Sequence, residues 1–224
     1  MNGPRLDAPA ADEVHVWRAH LVCDARALTA LRTIISDQEL ARASRFRFAR
    51  DGDRFVVARA RLRQVLASYL GVAAQSVPLT EEGSGRPRLA GSAGWLHFSV
   101  AHSVDLALFA IGRSRELGVD VERERDGLPM DAIARKFFTA EGHAAYAGVA
   151  PDDRRRAFFE QWTRYEAWLK AAGGGLSHPP PATSGWSVRT LHAADGYAAA
   201  VAVRGDARIP AAATPVDTLL TACC

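Results

Sequence analysis

The chain has 224 residues, 48% hydrophobic and 24% charged, the balance of a soluble globular protein long enough to bury a sizeable core in one domain or two small packed ones. A formal net charge of +3 and a pI near 9.0 suit an anionic substrate or partner without calling for nucleic acid. No apolar run reaches the roughly 18 residues of a membrane-spanning helix and the N-terminus shows no signal-peptide core, so the expected location is the cytoplasm, with no membrane partner.

Residues 14–21 alternate loosely and predict a first strand. Cys23 and the pair Cys223 and Cys224 offer neither a disulfide framework nor a zinc site. Ser36-Asp-Gln-Glu39 is a capping-box signature, opening a helix that carries Leu40, Ala43 and Phe46 at helical spacing. A second helix is predicted over 51–70, closed by Gly71. Its arginines, Arg54, Arg59, Arg61 and Arg63, cannot all share one face. Residues 95–100 and 106–111 read as strands joined by Ala101-His-Ser-Val-Asp105, a turn that holds His102 and Ser103 at the end of a strand, where loop residues often meet ligands.

The second half repeats the theme with a strand over 117–122, a helix over 131–138 and a long helix over 151–172. Pro151 suits a first helical position, and the glycines from Gly173 onward end the helix. Strands over 186–191 and 197–203 close the chain, and the proline-rich stretch 177–185 reads as an extended connection. Of 28 basic residues only Lys136 and Lys170 are lysines. Lys136 reads as solvated on its helix, and the run from Arg154 to Arg156 as a solvated face at a helix start.

In a strand, side chains alternate, so Asp120 and Glu122 of Gly118-Val-Asp-Val-Glu122 point one way while Val119 and Val121 point the other. Two bare carboxylates about 7 Å apart repel, and a divalent cation resolves the conflict. A hard ion takes one or two carboxylates together with phosphate oxygens. Four-residue spacing on a helix places Trp162, Glu166 and Lys170 in one stripe, with Glu166 a candidate third oxygen ligand and Lys170 an ammonium able to neutralise phosphate. Taken singly each feature is ordinary: a solvated acidic strand, a surface ion pair, a hydrogen-bonded histidine.

Four segments in order, Phe98-Ser-Val-Ala-His-Ser103, Gly118-Val-Asp-Val-Glu122, Arg135-Lys-Phe-Phe138 and Trp162-Thr-Arg-Tyr-Glu-Ala-Trp-Leu-Lys170, resemble those of the 4′-phosphopantetheinyl transferase superfamily, in its larger, surfactin-synthetase-activating type. The resemblance implies an α+β fold of two similar halves related by a pseudo-twofold axis, here residues 1–112 and 113–224, with coenzyme A in the cleft between them. It implies transfer of 4′-phosphopantetheine to a serine of an apo acyl, peptidyl or polyketide carrier protein, with Mg²⁺, or Mn²⁺, as cofactor and a monomeric enzyme. The metal ligands would be Asp120, Glu122 and Glu166, and the catalytic residues Glu166, Lys170 and His102. Coenzyme A would be held by Arg54, Arg86, His102, Ser103, Asp120 and Lys170, with Arg42 a looser match.

Three positions depart from the family pattern. Tyr165 stands where a lysine precedes the helix glutamate, Ala101 replaces the first serine of Ser-His-Ser, and Arg86 replaces a lysine with the charge kept. The first two leave open a second reading, a coenzyme A-binding protein that transfers nothing. A third, nucleic-acid binding through Arg154 to Arg156, has no motif behind it.

Overall fold

A computed structural model describes residues 5–81, 86–113, 116–173 and 185–218. The first half contains β1 (Val14–His20), α1 (Ala25–Arg32), α2 (Asp37–Ala43), α3 (Ala49–Leu70), β2 (Leu79–Glu81), β3 (Pro87–Leu89), β4 (Leu96–Ser103) and β5 (Leu106–Arg113). There follow β6 (Leu117–Arg123), α4 (Met130–Phe137), α5 (Ala140–Ala147), α6 (Arg154–Ala172), β7 (Trp186–Thr190), β8 (Tyr197–Arg204) and β9 (Thr214–Pro215).

The alternation along β5 sets the layers. Ala107, Phe109 and Ile111 face one way, into a core shared with Val56, Ala60 and Leu66 of α3. Leu106, Leu108 and Ala110 face the other way, against Val119 and Val121 of β6 and Val201 and Val203 of β8. A strand buried on both faces loses its polar alternation and reads as a continuous apolar run, as β5 does. Two sheets result, one ordered β4-β5-β1-β9 and one ordered β6-β8-β7, while β2 and β3 form a separate ribbon. The order of layers is helices, first sheet, second sheet, helices: an α+β fold. The first sheet is antiparallel except for β9, which runs parallel to β1 from the far end of the chain. The outer face of β8 presents only Ala200 and Ala202 to Ala167 and Ala171 of α6, so helix and sheet approach closely.

Local signals explain most element ends. Ser36 and Glu39 form the expected reciprocal capping box, and Gly71 ends α3 in the left-handed conformation at φ 68°. The carboxylate of Glu39 also takes Arg63 at 2.9 Å and Arg59 at 3.3 Å, so two of the four α3 arginines are buried in ion pairs.

The structure corrects the sequence reading in several places. Strand β4 runs on to Ser103, because His102 and Ser103 pair with Ala107 and Leu106 across the ladder, and only Val104 and Asp105 form the turn. His102 and Ser103 are therefore strand residues. Helix α2 stops at Ala43, leaving Phe46 exposed in the connection to α3. Helices α1 and α5 and the β2–β3 ribbon were not anticipated. Residues 114–115 of the expected joint and 177–184 of the proline-rich stretch lie outside the described residues.

Candidate active site

The site forms where β4, the edge of the first sheet, meets β6, the edge of the second. Two buried serines of β4 close this seam: the Val119 N–H donates to Ser99 Oγ at 3.2 Å and the Arg123 N–H to Ser103 Oγ at 3.0 Å. The hydroxyls thus satisfy edge N–H groups that no neighbouring strand reaches. Ser103 then donates its own proton to Glu122 Oε2 at 2.9 Å. Ser103→Ala removes both links at once and is expected to cost about 1–3 kcal/mol in a thermal melt. A variant with wild-type stability would show the seam to be dispensable.

On the other side of β6, residues 118, 120 and 122 face α6, since 119 and 121 are in the inter-sheet core. Gly118 is the contact point. A Cβ there would lie 2.0 Å from the Ala167 carbonyl oxygen and 2.6 Å from the Ala171 nitrogen, so only glycine permits this approach. The approach brings Lys170 Nζ to 2.7 Å from Asp120 Oδ1. The guanidinium of Arg86 meets the same residue from behind, donating to the Lys170 carbonyl at 2.9 Å.

His102, Asp120, Glu122, Glu166 and Lys170 line one cleft of about 440 Å³, walled by Trp162, Phe158 and Ile133. The predicted stripe of Trp162, Glu166 and Lys170 faces it as a unit. Burial is the first cause that pushes the Asp120 carboxyl up to about 7, with Lys170 pulling it down and Glu122 and Glu166 pushing further up. Burial likewise raises Glu166, and burial followed by the nearby Lys170 charge lowers His102, favouring neutral imidazole.

Asp120 Oδ2 is buried and has no hydrogen-bond partner among the described residues. A buried carboxylate oxygen left bare costs about 1–3 kcal/mol or more, and a hard cation is one of the few groups that relieves it. Among the described residues, no three histidine, cysteine or carboxylate side chains converge closely enough to cage a metal as they stand. Lys170 occupies one oxygen of Asp120, and Glu122 is turned toward Ser103 and, at 3.7 Å, Arg125. The donor set nevertheless fits Mg²⁺ in kind: oxygen ligands only, one of them unsatisfied, and like charges that repel.

The remaining predicted contacts fall elsewhere. Arg54 lies at the β4–β5 turn, its guanidinium spent on Asp105 at 3.0 Å and Asp51 at 3.2 Å. Arg86 lines a second recess of about 420 Å³, with Arg88, His97 and Glu116, behind Lys170. Arg42 pairs with Glu81. Lys136 is exposed, as expected, and Arg155 and Arg156 are paired with Asp126 and Glu160. Arg125 was missed because it follows the strand in an irregular segment with no periodic signal. Ser99 carried one, as a hydroxyl within an otherwise apolar strand.

Comparison with known proteins identifies the family. Residues 22–113 match the profile described as 4′-phosphopantetheinyl transferase, N-terminal, and residues 116–210 that of the 4′-phosphopantetheinyl transferase superfamily. The chain is 35% identical over 211 residues to the 4′-phosphopantetheinyl transferase HetI of Nostoc sp., spanning 87% of this chain and 89% of that relative. The chain belongs to the 4′-phosphopantetheinyl transferase superfamily. It is an enzyme of this transferase class, and its kinship lies with the larger, surfactin-synthetase-activating type. The transferase psf-1 of Bacillus pumilus is 28% identical over 149 residues, 66% of this chain and 62% of that relative. The human L-aminoadipate-semialdehyde dehydrogenase-phosphopantetheinyl transferase is 26% identical over 159 residues, 66% of this chain and 51% of that relative. Among the described residues no helix is long and apolar enough to cross a membrane.

Two of the three departures from the transferase pattern, Ala101 and Tyr165, lie inside the protein. Ala101 is buried in the inter-sheet core. Tyr165 is buried between Phe137, Trp162 and Trp168, with ring centroids at 5.9, 5.9 and 6.5 Å. A lysine placed there must bury its charge or displace aromatic packing. Tyr165→Lys is expected to lose about 2–4 kcal/mol of stability and gain no affinity for coenzyme A. Tighter coenzyme A binding at unchanged melting temperature would contradict this.

Proposed function

We infer that the chain transfers 4′-phosphopantetheine from coenzyme A to a serine of an apo carrier protein, releasing adenosine 3′,5′-bisphosphate, as a cytoplasmic monomer. The observation that carries the reading is the bare buried Asp120 Oδ2, in one cleft with Glu122, Glu166, Lys170 and His102. Asp120, Glu122 and Glu166 would hold Mg²⁺ or Mn²⁺. Such a cation, when bound, neutralises charge on the diphosphate.

The chain's own residues supply the rest. Glu166, its carboxyl raised by burial, is poised to take the proton of the acceptor serine. Lys170, whose ammonium stands at the cleft beside Asp120, would neutralise the departing phosphate. His102, neutral, donates one ring N–H to a phosphate oxygen. Ser103 contributes by fixing Glu122. Arg86, and Arg54 on release from its carboxylates, bind the nucleotide phosphates. In this reading residues 1–112 hold the nucleotide, and residues 113–224 carry the metal ligands and the catalytic helix.

The deciding experiment is intact-protein mass spectrometry of apo acyl, peptidyl and polyketide carriers incubated with the enzyme, coenzyme A and Mg²⁺, with an EDTA control. A chelator-sensitive gain of one phosphopantetheine is expected. Coenzyme A binding without transfer to any carrier would favour the binding-protein reading instead.

A further inference from the structure

Four large hydrophobic side chains stand out in solvent among the described residues: Val22 at 66% exposure, Phe48 at 50%, Val104 at 44% and Phe46 at 41%. They are scattered in sequence but carried on segments that are hydrogen-bonded to one another. Val22 follows Leu21, whose N–H donates to the Asp105 carbonyl at 2.8 Å, and Val104 precedes Asp105. The Asp105 carboxylate holds Arg54, Arg54 holds Asp51, and the Asp51 N–H donates to the Phe48 carbonyl at 3.0 Å. The ring of Phe46 packs on Phe55, next to Arg54, at 5.7 Å. Isolated exposed apolar residues need no explanation, whereas a gathering of them marks an interaction surface.

Val104 adds a second observation. It is the one residue other than glycine with positive φ among the described residues, at 52°. A β-branched side chain is poorly suited to that conformation, and asparagine or glycine would relax it. The strained residue is also an exposed one, one residue beyond Ser103.

The patch is also cationic. Residues 44–50, Ser-Arg-Phe-Arg-Phe-Ala-Arg, are exposed throughout. Arg47 and Arg50 lie over the Phe48 ring at 5.2 and 5.5 Å. Arg45 and Arg47 meet no carboxylate among the described residues, and Arg50 reaches only Asp51, at 3.7 Å, whose same oxygen Arg54 already takes. Two to three positive charges thus surround an apolar centre, beside the turn that leads from His102 and Ser103.

We propose that Phe46, Phe48, Val104 and Val22, ringed by Arg45, Arg47 and Arg50, dock an acidic, partly apolar surface of the carrier protein and so aim its serine into the Glu166 cleft. The proposal rests on the transferase reading for the identity of the partner. A folded protein is favoured over nucleic acid because the centre of the patch is aliphatic as well as aromatic, and over a membrane because the acceptor must enter the adjacent cleft.

The test compares wild type with Phe48→Ser, the double variant Arg47→Glu with Arg50→Glu, and Val104→Asn. Transfer is measured with apo acyl carrier protein and coenzyme A varied in turn, and labelled apo carrier binding is measured separately by fluorescence anisotropy. Charge reversal is expected to raise KM and Kd for the carrier by about tenfold or more, to flatten their salt dependence, and to leave KM for coenzyme A within about twofold. Val104→Asn is expected to weaken carrier binding while raising the melting temperature, a combination that misfolding cannot produce. Unchanged carrier binding in all variants would overturn the proposal, as would an equal rise in KM for coenzyme A. Salt-sensitive RNA binding through these residues, with none of the carrier, would overturn it in favour of nucleic acid. A wild-type protein that binds carrier through the patch but transfers nothing would sink the transferase reading alone. Failure of wild type both to bind and to transfer would sink both.

Discussion

Asp120→Asn is expected to abolish transfer and yet stabilise the protein above neutral pH. The carboxyl of Asp120 is pushed up to about 7 in the folded chain from an ordinary value of 3.8. The folded state therefore holds that proton more tightly than the unfolded state. The sign follows directly: Asp120 lowers stability progressively as pH rises from about 4 to about 7, and the loss is complete above that range. Asparagine keeps the shape without the charge. Lys170 loses its partner in the variant, but its side chain is one-third exposed and turns to water. At pH 8 and without divalent metal the variant should melt several degrees higher than wild type, with the gap closing toward pH 4. Transfer should fall on the order of a thousandfold. Adding Mg²⁺ should raise the melting temperature of wild type and leave that of the variant unmoved. A variant that melts lower at pH 8, or responds to Mg²⁺ as wild type does, would refute the role given to this carboxylate.

Gly118→Ala is the second large effect, and it acts without touching a functional group. Its Cβ would meet the Ala167 carbonyl oxygen at 2.0 Å, the Ala171 nitrogen at 2.6 Å and Lys170 Cβ at 3.0 Å. Two of these are backbone atoms, so no rotamer change relieves the clash. Helix and strand must part by about 1 Å, a misplacement that can cost about a hundredfold in rate. Overpacking adds about 1–3 kcal/mol of lost stability. Both Glu166 and Lys170 ride on the displaced helix. Gly94→Ala is a fair control, because its nearest neighbour is an ordinary 3.4 Å away and its backbone is right-handed. Wild-type rate and melting temperature in Gly118→Ala would mean that the helix position is not what sets the site.

The parts of the site that sequence reveals are those governed by a short period. Asp120 and Glu122 share a face because a strand repeats every two residues, and Trp162, Glu166 and Lys170 share a stripe because a helix nearly repeats every four. The capping box at Ser36 and the glycine end of α3 are similarly local. What sequence hides is set by tertiary geometry. Arg59 and Arg63 look like solvent-facing charges until Glu39 is brought across from another helix. Ala198 to Ala202 look like compositional bias, yet Ala200 and Ala202 are the flat surface on which α6 settles. The commitment of Ser103 to Glu122 and to an edge N–H depends on which strand edges meet, and no local pattern encodes that. The turn expected over 101–105 narrows to Val104 and Asp105, because His102 and Ser103 stay paired with Ala107 and Leu106 across the ladder, which no local pattern encodes.

Strand β9 has a bearing on the order in which the molecule is made. Thr214 and Pro215 pair with Trp17 and Arg18, the Val216 N–H donates to the Arg18 carbonyl at 2.9 Å, and the side chain of Val216 is fully buried in the core beneath α3. Roughly two hundred residues therefore separate an early strand from its outer neighbour, a closure of high contact order. While the chain emerges from the ribosome, β1 waits with an open edge and a gap in the core beside it. A fragment cut before residue 214 would keep that edge for any other strand to find, and self-association is its natural fate.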